Sequence, residues 1–259
     1  MYFLSRRSDG GGDGPSLDDY LSGNVSMVDF PRSITKVPNY CLYDMASIGK
    51  IVLHENITEL GESCFYSCKN LNVIEGLENV RTIRQKAFYN TGFTEFTFPE
   101  SATTVGTSAI GNSIKLEKVV LPESMTVVPN SICEYCRKLS EVVFGSSVTG
   151  INNSAFSTCQ ALAEVNLPST LRTIGNSVFS NTALTEVTIP ANVVMIGTYA
   201  FNGTQLTRAV FENPNRWIYN TSSSLTNLTG TEIDLSNPEQ AATYLKTTYT
   251  NKYFHRREE

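Results

Sequence analysis

Apolar residues recur along most of this chain in one fixed order. In residues 184–201 the order is a short alternating run, a proline, a second apolar pair, a glycine and the pair Ala200-Phe201. Alternation of apolar and polar residues predicts a half-buried β-strand, and Pro190 ends it because proline has no N–H to donate to a ladder. The second apolar pair predicts another short element, and Ala200-Phe201 predicts a helical turn. The chain therefore changes conformation three times within this stretch.

The same order returns every 22 or 23 residues. Its starts are apolar and define eight full units and the first strand of a ninth: Val25, Ile48, Leu71, Phe93, Leu116, Leu139, Leu162, Leu184 and Leu206. The positions three and five residues after each start are apolar as well, with Gly76 as the one exception. A period of this length predicts a solenoid. We expect each unit to form one coil, whose first strand stacks on its neighbours at ~4.8 Å in a parallel sheet.

The predicted fold is an α/β solenoid, a leucine-rich repeat of eight 22–23-residue units. A parallel sheet forms one face, and short helical turns with an aromatic plug form the other. Residues 25–211 make up the solenoid. Residues 1–24 contain the run Gly10-Gly11-Gly12-Asp13-Gly14 and are predicted to be a flexible N-terminal arm.

Residues 212–259 no longer follow the period and are predicted to cap the last coil. Residues 216–219 indicate a final strand. Ser236 is predicted to cap a helix over residues 238–249, with Pro238 in its first turn. Its predicted apolar face consists of Ala241, Tyr244, Leu245 and Tyr249. Solenoids need an atypical terminal unit, and this C-terminal helical cap fits that role.

Composition excludes several classes of partner. The net charge of −5 and the pI near 5.2 give no basic surface for nucleic acid or for an anionic membrane. No window approaches the ~18 apolar residues of a membrane span, so we expect no membrane insertion. The N-terminus lacks the apolar core of a signal peptide. This favours a virion or the cytoplasm over Sec export as the location.

The cysteines are predicted to fill small core positions. Cys68, Cys136 and Cys159 occupy a column that holds threonine or serine in other units. Cys41 and Cys64 stand in the alanine column, and Cys133 replaces a plug phenylalanine. Cys133-x-x-Cys136 has the spacing of half a zinc site, but no second Cys/His pair follows at suitable spacing. We therefore predict no metal, no cofactor and, in the absence of phosphate-loop, HEXXH or GxSxG motifs, no catalytic site.

The outward positions of the predicted sheet are the candidate ligand-binding site. Two residues after their starts, Glu141, Glu164 and Glu186 stand on successive rungs between Lys118 and Arg208. Val120 follows two residues after Lys118, and Val143 follows two residues after Glu141. Like charges one rung apart are unfavourable in a ladder, so this order could reflect a ligand. The alternative is a solvated face that uses a common repeat residue.

The N-terminal arm is the candidate assembly site. It combines a short apolar tip, Tyr2-Phe3-Leu4, with Arg6 and Arg7 ahead of the glycine run. An apolar tip with adjacent cations on a flexible tether suits docking into a groove of a partner. We therefore predict that the arm joins the molecule to a larger assembly.

The repeat motif resembles the BspA-type leucine-rich repeat. The resemblance rests on L-x-x-V-x-I-P, then V-x-x-I-G, then A-F-x-x-C/T, as in residues 162–182 and 184–204, and it covers residues 25–211. It implies a non-enzymatic binding or structural module, such as a phage virion or surface-adhesion component that recognises a protein or glycan through the strand face. We predict no signal peptide or wall anchor, which would distinguish the chain from cell-surface members. The alternative is an intracellular protein–protein interaction scaffold.

Overall fold

The computed structural model describes residues 27–225 and 229–257. Within these ranges the chain winds into the predicted solenoid, with one coil per repeat unit. Each coil runs through a front strand, a short side strand and a back turn. The predicted arm and Val25, the start of the first unit, lie outside the described residues.

The front strands carry the alternation that the sequence predicted. They pair in parallel at the repeat distance, so that Lys50 lies between Met27 and Val73. The middle residue points inward, and Ile51, Phe96 and Val119 are all buried. The front strands are β1 (Met27–Asp29), β3 (Lys50–Val52), β5 (Val73–Glu75), β7 (Glu95–Thr97), β9 (Lys118–Val120), β11 (Glu141–Val143), β14 (Glu186–Ile189) and β16 (Arg208–Phe211).

The second apolar pair of each unit forms the side strand. Here too the strands pair in parallel at the repeat distance, as Ile151 does with Ile174 and Ile174 with Ile196. The side strands are β2 (Lys36–Val37), β4 (Glu59–Leu60), β6 (Thr82–Ile83), β8 (Thr104–Val105), β10 (Val127–Val128), β12 (Gly150–Ile151), β13 (Thr173–Ile174) and β15 (Met195–Ile196).

The back of the solenoid differs in detail from the predicted helical turns. Its segments are successive hydrogen-bonded turns, such as Ser157 N–H to the Ser154 carbonyl at 3.1 Å. Ser154 and Thr158, four residues apart, both adopt left-handed backbone with φ of 56° and 63°. A helix would use its N–H groups within one coil. Here alternate N–H groups point to the next coil instead, which the left-handed residues make possible.

These N–H groups form a continuous back ladder. Ser154, Phe156 and Thr158 donate to the carbonyls of Asn176, Val178 and Ser180 at 2.7–3.0 Å. The same three bonds join every pair of neighbouring coils from residues 40–44 to residues 198–202. Inside this ladder the predicted plug residues Phe65, Phe88, Phe156, Phe179 and Phe201 are fully buried. The back is therefore the most regular part of the fold.

The front ladder, by contrast, is interrupted. No strand pairing joins β5 to β7, next to the place where Gly76 stands in the repeat. Gly76 has φ +79°, and a Cβ there would lie 1.9 Å from the Leu53 carbonyl oxygen, so only glycine fits. A 3₁₀ turn, Leu77–Asn79, follows. The side ladder has its own interruption between β8 and β10.

A second interruption involves a whole rung. Residues 162–168, the predicted first strand of the seventh unit, form no strand, and we call them the open rung. The N–H and C=O groups of residues 163–167 make no hydrogen bond within the described residues. The inward side chains Val165 and Leu167 are only half-buried, whereas Val119 and Leu121 of the paired strand β9 and its extension are buried.

The C-terminal segment closes the far end with mixed elements. Strands β17 (Trp217–Asn220), β18 (Thr231–Glu232) and β19 (Tyr253–Arg256) are antiparallel, and helix α1 (Pro238–Thr243) continues into a π-helical turn (Tyr244–Thr248). The predicted strand at residues 216–219 is present as β17. The predicted Ser236 cap is wrong, because Pro238 takes the first helical position and Asn237 therefore caps the helix, accepting Gln240 N–H at 2.8 Å.

Strand β19 was not predicted. It lies between β15 of the last complete coil and β17, with Ile196 beside Phe254 and Tyr219 beside Phe254. Ala241, Ala242 and Leu245 of the helical segment are buried, and Trp217 packs edge-on against Phe211 at 5.2 Å. The last coil is therefore covered by a strand and a helix together.

Candidate functional site

The front face consists of the outward side chains of the front strands. On β9 and β11 the structure brings together four of the predicted residues. Lys118 lies beside Glu141, with Nζ 2.7 Å from the carboxylate oxygen, and Val120 lies beside Val143. The hydrogen bond that Lys118 donates to Glu141, together with the charge of Glu141, raises the pKa of Lys118. These residues form one block of alternating charge with adjacent valines.

A second block lies on β14 and β16. Glu186 pairs in register with Arg208, and Nη1 of the arginine lies 3.8 Å from the carboxylate. Both side chains are exposed, so the pair is screened by solvent and contributes little to stability. Glu141 and Glu186, the outer glutamates of the predicted stack, thus each have a cation on the side that faces away from Glu164.

Glu164 belongs to neither block. It is exposed on the open rung, and no ion pair of Glu164 occurs within the described residues. The predicted stack of three like charges is therefore split by two interruptions of the ladder. Its two outer charges are compensated by neighbouring cations, and the central one is not.

Sequence reasoning missed the open rung. The apolar order of residues 162–168 is the same as that of paired rungs, so no residue signals the opening. It also missed an ion cluster on the side sheet, where the Glu59 carboxylate lies 2.8 Å from Lys36 and 2.6 Å from Arg84. Hydrogen bonds from Lys36 and then Arg84 lower the pKa of Glu59.

The predicted assembly residues Tyr2, Phe3, Leu4, Arg6 and Arg7 lie outside the described residues. Their role stays a prediction.

The described part of the chain brings no catalytic set together. His54 and His255 each place Nε2 within 2.9 Å of a backbone carbonyl, of Pro31 and Ser222 respectively. Residues 27–225 and 229–257 bring no three His, Cys, Asp or Glu side chains together as a metal site would require. Among the same residues, no helix has the length and apolar character that a membrane span requires.

The cysteine column is filled as the sequence predicted. Cys68, Cys136 and Cys159 are buried, and each thiol donates to a carbonyl of the preceding coil at 3.1, 3.4 and 3.2 Å. Burial raises the pKa of Cys68 to about 12 and that of the half-buried Cys41 to about 11. Such thiols are poor nucleophiles, because the thiolate is the reactive form.

The coil geometry and the repeat define the class of protein as a leucine-rich repeat solenoid. The chain belongs to the BspA-type leucine-rich repeat family, whose model, described as a BspA type leucine rich repeat region, matches in six copies over residues 20–117 and 111–229. Proteins of this family and fold are typically binding modules without catalytic activity. No curated protein sequence matches the chain.

Solved structures show the same fold. A leucine-rich repeat protein from Bacteroides ovatus is similar with a TM-score of 0.61 and 21% identity, covering 80% of this chain and 63% of its own. A leucine rich cell surface protein from Faecalibacterium prausnitzii (TM-score 0.51, 22% identity) is also similar, and the match covers 77% of this chain and 52% of that protein. A leucine-rich repeat protein from Eubacterium ventriosum (TM-score 0.51, 20% identity) is also similar, and the match covers 78% of this chain and 66% of that protein. The chain thus spans about half to two thirds of these proteins.

Proposed function

We propose that this protein is a non-enzymatic binding module whose front face recognises a partner protein or a glycan. One observation carries the proposal, namely the order of side chains on that face. Outward valines stand at four positions of the column next to the charged residues, and Val143, on the edge strand β11, is 39% exposed. Apolar centres flanked by charged residues are typical of binding surfaces. The outward valines are Val52, Val120, Val143 and Val210.

The chemistry of the remaining groups supports binding rather than catalysis. The histidines of the described chain use a ring nitrogen on backbone carbonyls, and burial raises the thiol pKa of Cys64, Cys133 and Cys159. A nucleophile needs a nearby base and an accessible position. Neither the thiols nor the imidazoles meet both conditions.

The place of action stays a prediction. A virion or surface-adhesion component is expected from the family resemblance, and an intracellular scaffold is the alternative. Detection of the protein in purified phage particles, or of its gene beside phage structural genes, supports the virion role. Recovery of the protein from the cell interior alone contradicts it.

Affinity capture with two charge-reversed variants tests the front face. The front variant carries Glu141→Lys, Glu164→Lys and Glu186→Lys. The matched control carries Glu78→Lys, Glu232→Lys and Glu239→Lys, which are exposed carboxylates outside that face and give the same change in net charge. We expect partners captured by the wild-type protein to be lost with the front variant and kept with the control. Equal losses, or full capture by the front variant, would overturn the proposal.

A further inference from the structure

We propose that the crevice beside the open rung binds an extended segment of a partner protein in which arginine or lysine alternates with apolar residues. We use the word crevice for the break in the front ladder on either side of residues 162–168, where this rung pairs with neither β11 nor β14. The inference rests on the proposed function of the front face and names the class of partner.

Unpaired hydrogen-bonding groups gather at this crevice. The N–H groups of residues 163–167 donate no hydrogen bond within the described chain, and their carbonyl groups accept none, so an extended partner can pair with both. Glu164 adds an exposed carboxylate on the same rung, and Glu141 and Glu186 stand at the equivalent position of the two flanking coils. Arginine and lysine are side chains that only donate, and the guanidinium group offers five N–H donors in a planar fork.

The charge balance distinguishes one rung of the three as the rung without a neighbouring cation in the described part of the chain. Lys118 compensates Glu141, and Arg208 compensates Glu186. Glu164 has no such cation within the described residues. A neutral partner would leave this carboxylate uncompensated, and an acidic partner would be repelled, so charge complementarity favours a basic segment.

Apolar side chains line the same crevice. Val142, Phe144, Val165 and Leu167 point toward the core but are only half-buried, because the rungs do not close over them. Val143 is exposed beside them. Burying this surface is favourable, so the partner must bring apolar side chains together with its cations.

The unpaired backbone of the open rung favours an extended segment. It is as long as a strand, and an extended chain turns every second side chain to the same side. Alternate residues of a partner can therefore enter the crevice while the others stay on the surface. A helix would bring its side chains at a different spacing.

Hydrogen exchange of the full chain tests the free state first. The amides of residues 163–167 are unbonded, so we expect them to exchange quickly, whereas the paired amides of β9 are protected. The probe is then a labelled eight-residue peptide of alternating valine and arginine, and the control peptide alternates valine and glutamate. Fluorescence polarisation measures both affinities.

We expect the valine–arginine peptide to bind about tenfold or more tightly than the valine–glutamate peptide and to slow exchange at residues 163–167. Glu164→Gln should weaken its binding by about two- to fivefold, the range for an exposed ion pair. The matched control is Glu239→Gln, which removes an exposed carboxylate on helix α1, outside the front face, and should leave the affinity unchanged.

Several outcomes would overturn the inference. In the affinity measurement, the contradicting outcome is an equal loss of peptide binding in the two substituted proteins. In the hydrogen-exchange measurement, it is slowed exchange of amides outside the crevice. Slowed exchange of residues 163–167 with a neutral glycan, or on self-association without peptide, would also contradict the inference. If the valine–arginine peptide fails while the front variant still loses captured partners, the partner class is wrong and the proposed function stands. If the front variant also keeps its partners, both are wrong.

Discussion

Single side chains hold the coils together at the back of the solenoid. Phe179 is fully buried between Phe156 and Phe201, with ring centroids 5.8 and 5.5 Å away. The neighbouring backbone is hydrogen-bonded in the back ladder, so the surroundings cannot collapse to fill a vacated ring. The cost of truncation is therefore the lost transfer free energy together with a cavity.

Phe179→Ala should lower the free energy of unfolding by about 3–5 kcal/mol. Urea denaturation followed by circular dichroism measures it. Ile114→Ala, at a side chain that is 52% exposed, is the control and should change stability by less than about 0.5 kcal/mol. A wild-type midpoint for Phe179→Ala would contradict the repeat frame at that coil.

The repeat position that holds Cys68, Cys136 and Cys159 accepts either a thiol or a hydroxyl side chain. Thr91, Thr182 and Thr204 donate to the carbonyl three residues earlier in their own coil, at 2.7–2.9 Å. Cysteine at the same position donates to the preceding coil instead. Both satisfy a buried donor, which is why the sequence tolerates either.

All six cysteines should be reduced and free of metal. Alkylation in denaturant without reductant, followed by mass spectrometry, should add six groups. The native protein should react slowly, because the thiols are buried or half-buried. Burial also raises the thiol pKa at five of these positions, namely Cys41, Cys64, Cys68, Cys133 and Cys159. A mass two hydrogens lower, or one zinc per chain, would contradict the prediction.

His255 links the cap to pH. The ring is buried in β19, its Nε2 lies 2.8 Å from the Ser222 carbonyl, and its Nδ1 has no partner within the described residues. Because Nε2 must donate, the neutral ring leaves Nδ1 without a proton. Protonation would place an unpaired charge there, and burial accordingly lowers the pKa of His255 below its ordinary 6.5.

Stability should therefore fall as pH drops below 6.5 toward the lowered pKa, since the unfolded chain then binds a proton that the folded chain does not. Above 6.5 the ring is neutral in both states and contributes no slope. Melting temperatures between pH 7 and 5 should decline less in His255→Gln than in the wild type. Parallel curves would show that His255 does not titrate in this way.

At the scale of elements, the helical segment and β19 act together. Helix α1 buries Ala241 against the end of the solenoid, and β19 pairs with β15. An unpaired strand edge readily associates with other chains. The C-terminal segment therefore protects an edge that the repeat itself cannot close.

Deleting residues 236–259 should promote aggregation, as measured by light scattering after size-exclusion chromatography. Ala241→Asp should have the same effect to a smaller degree, because it buries an uncompensated charge. Thr243→Asp is the matched control at an exposed position of the same helix. A monomeric truncation with unchanged melting would show that the segment has another role.

How much the sequence reveals also differs between elements. Strict periodicity specified the front and side strands, since inward positions such as Ile51 and Ile174 must be apolar in every coil. The back turns were harder to predict, because Ala-Phe followed by a small polar residue also suits a helical turn. The left-handed positions of the back turns are occupied by Ser, Asn, Asp, Thr, Lys and Tyr, with Gly203 as the one glycine among the described coils, so most of them gave no signal.

At the scale of the whole molecule, long-range pairing limited the prediction. Strand β19 joins a coil about sixty residues earlier, and nothing in a short charged tail indicates that partner. The candidate charges were identified correctly as outward residues of one face. Their grouping into two ion-paired blocks and an open rung depends on which strands actually pair, and local sequence does not specify this.

The N-terminal arm and the front face are predicted to have separate roles. Removing residues 1–24 should abolish incorporation into any assembly while leaving the solenoid folded, as shown by unchanged circular dichroism. The front charge reversal should weaken ligand capture and leave assembly intact. Normal assembly without the arm, or assembly lost in the front variant, would contradict this division.

The contrast between a continuous back ladder and an interrupted front ladder gives the molecule a direction of least elastic resistance. Bending that widens the front separates rungs already unbonded at residues 163–167, whereas bending that widens the back must break three hydrogen bonds at each step. Thermal fluctuations therefore change the curvature mainly toward one side. The gap at the open rung and the curvature of the solenoid therefore change together. A molecule bound at the open rung should also alter the distance between the two ends of the solenoid.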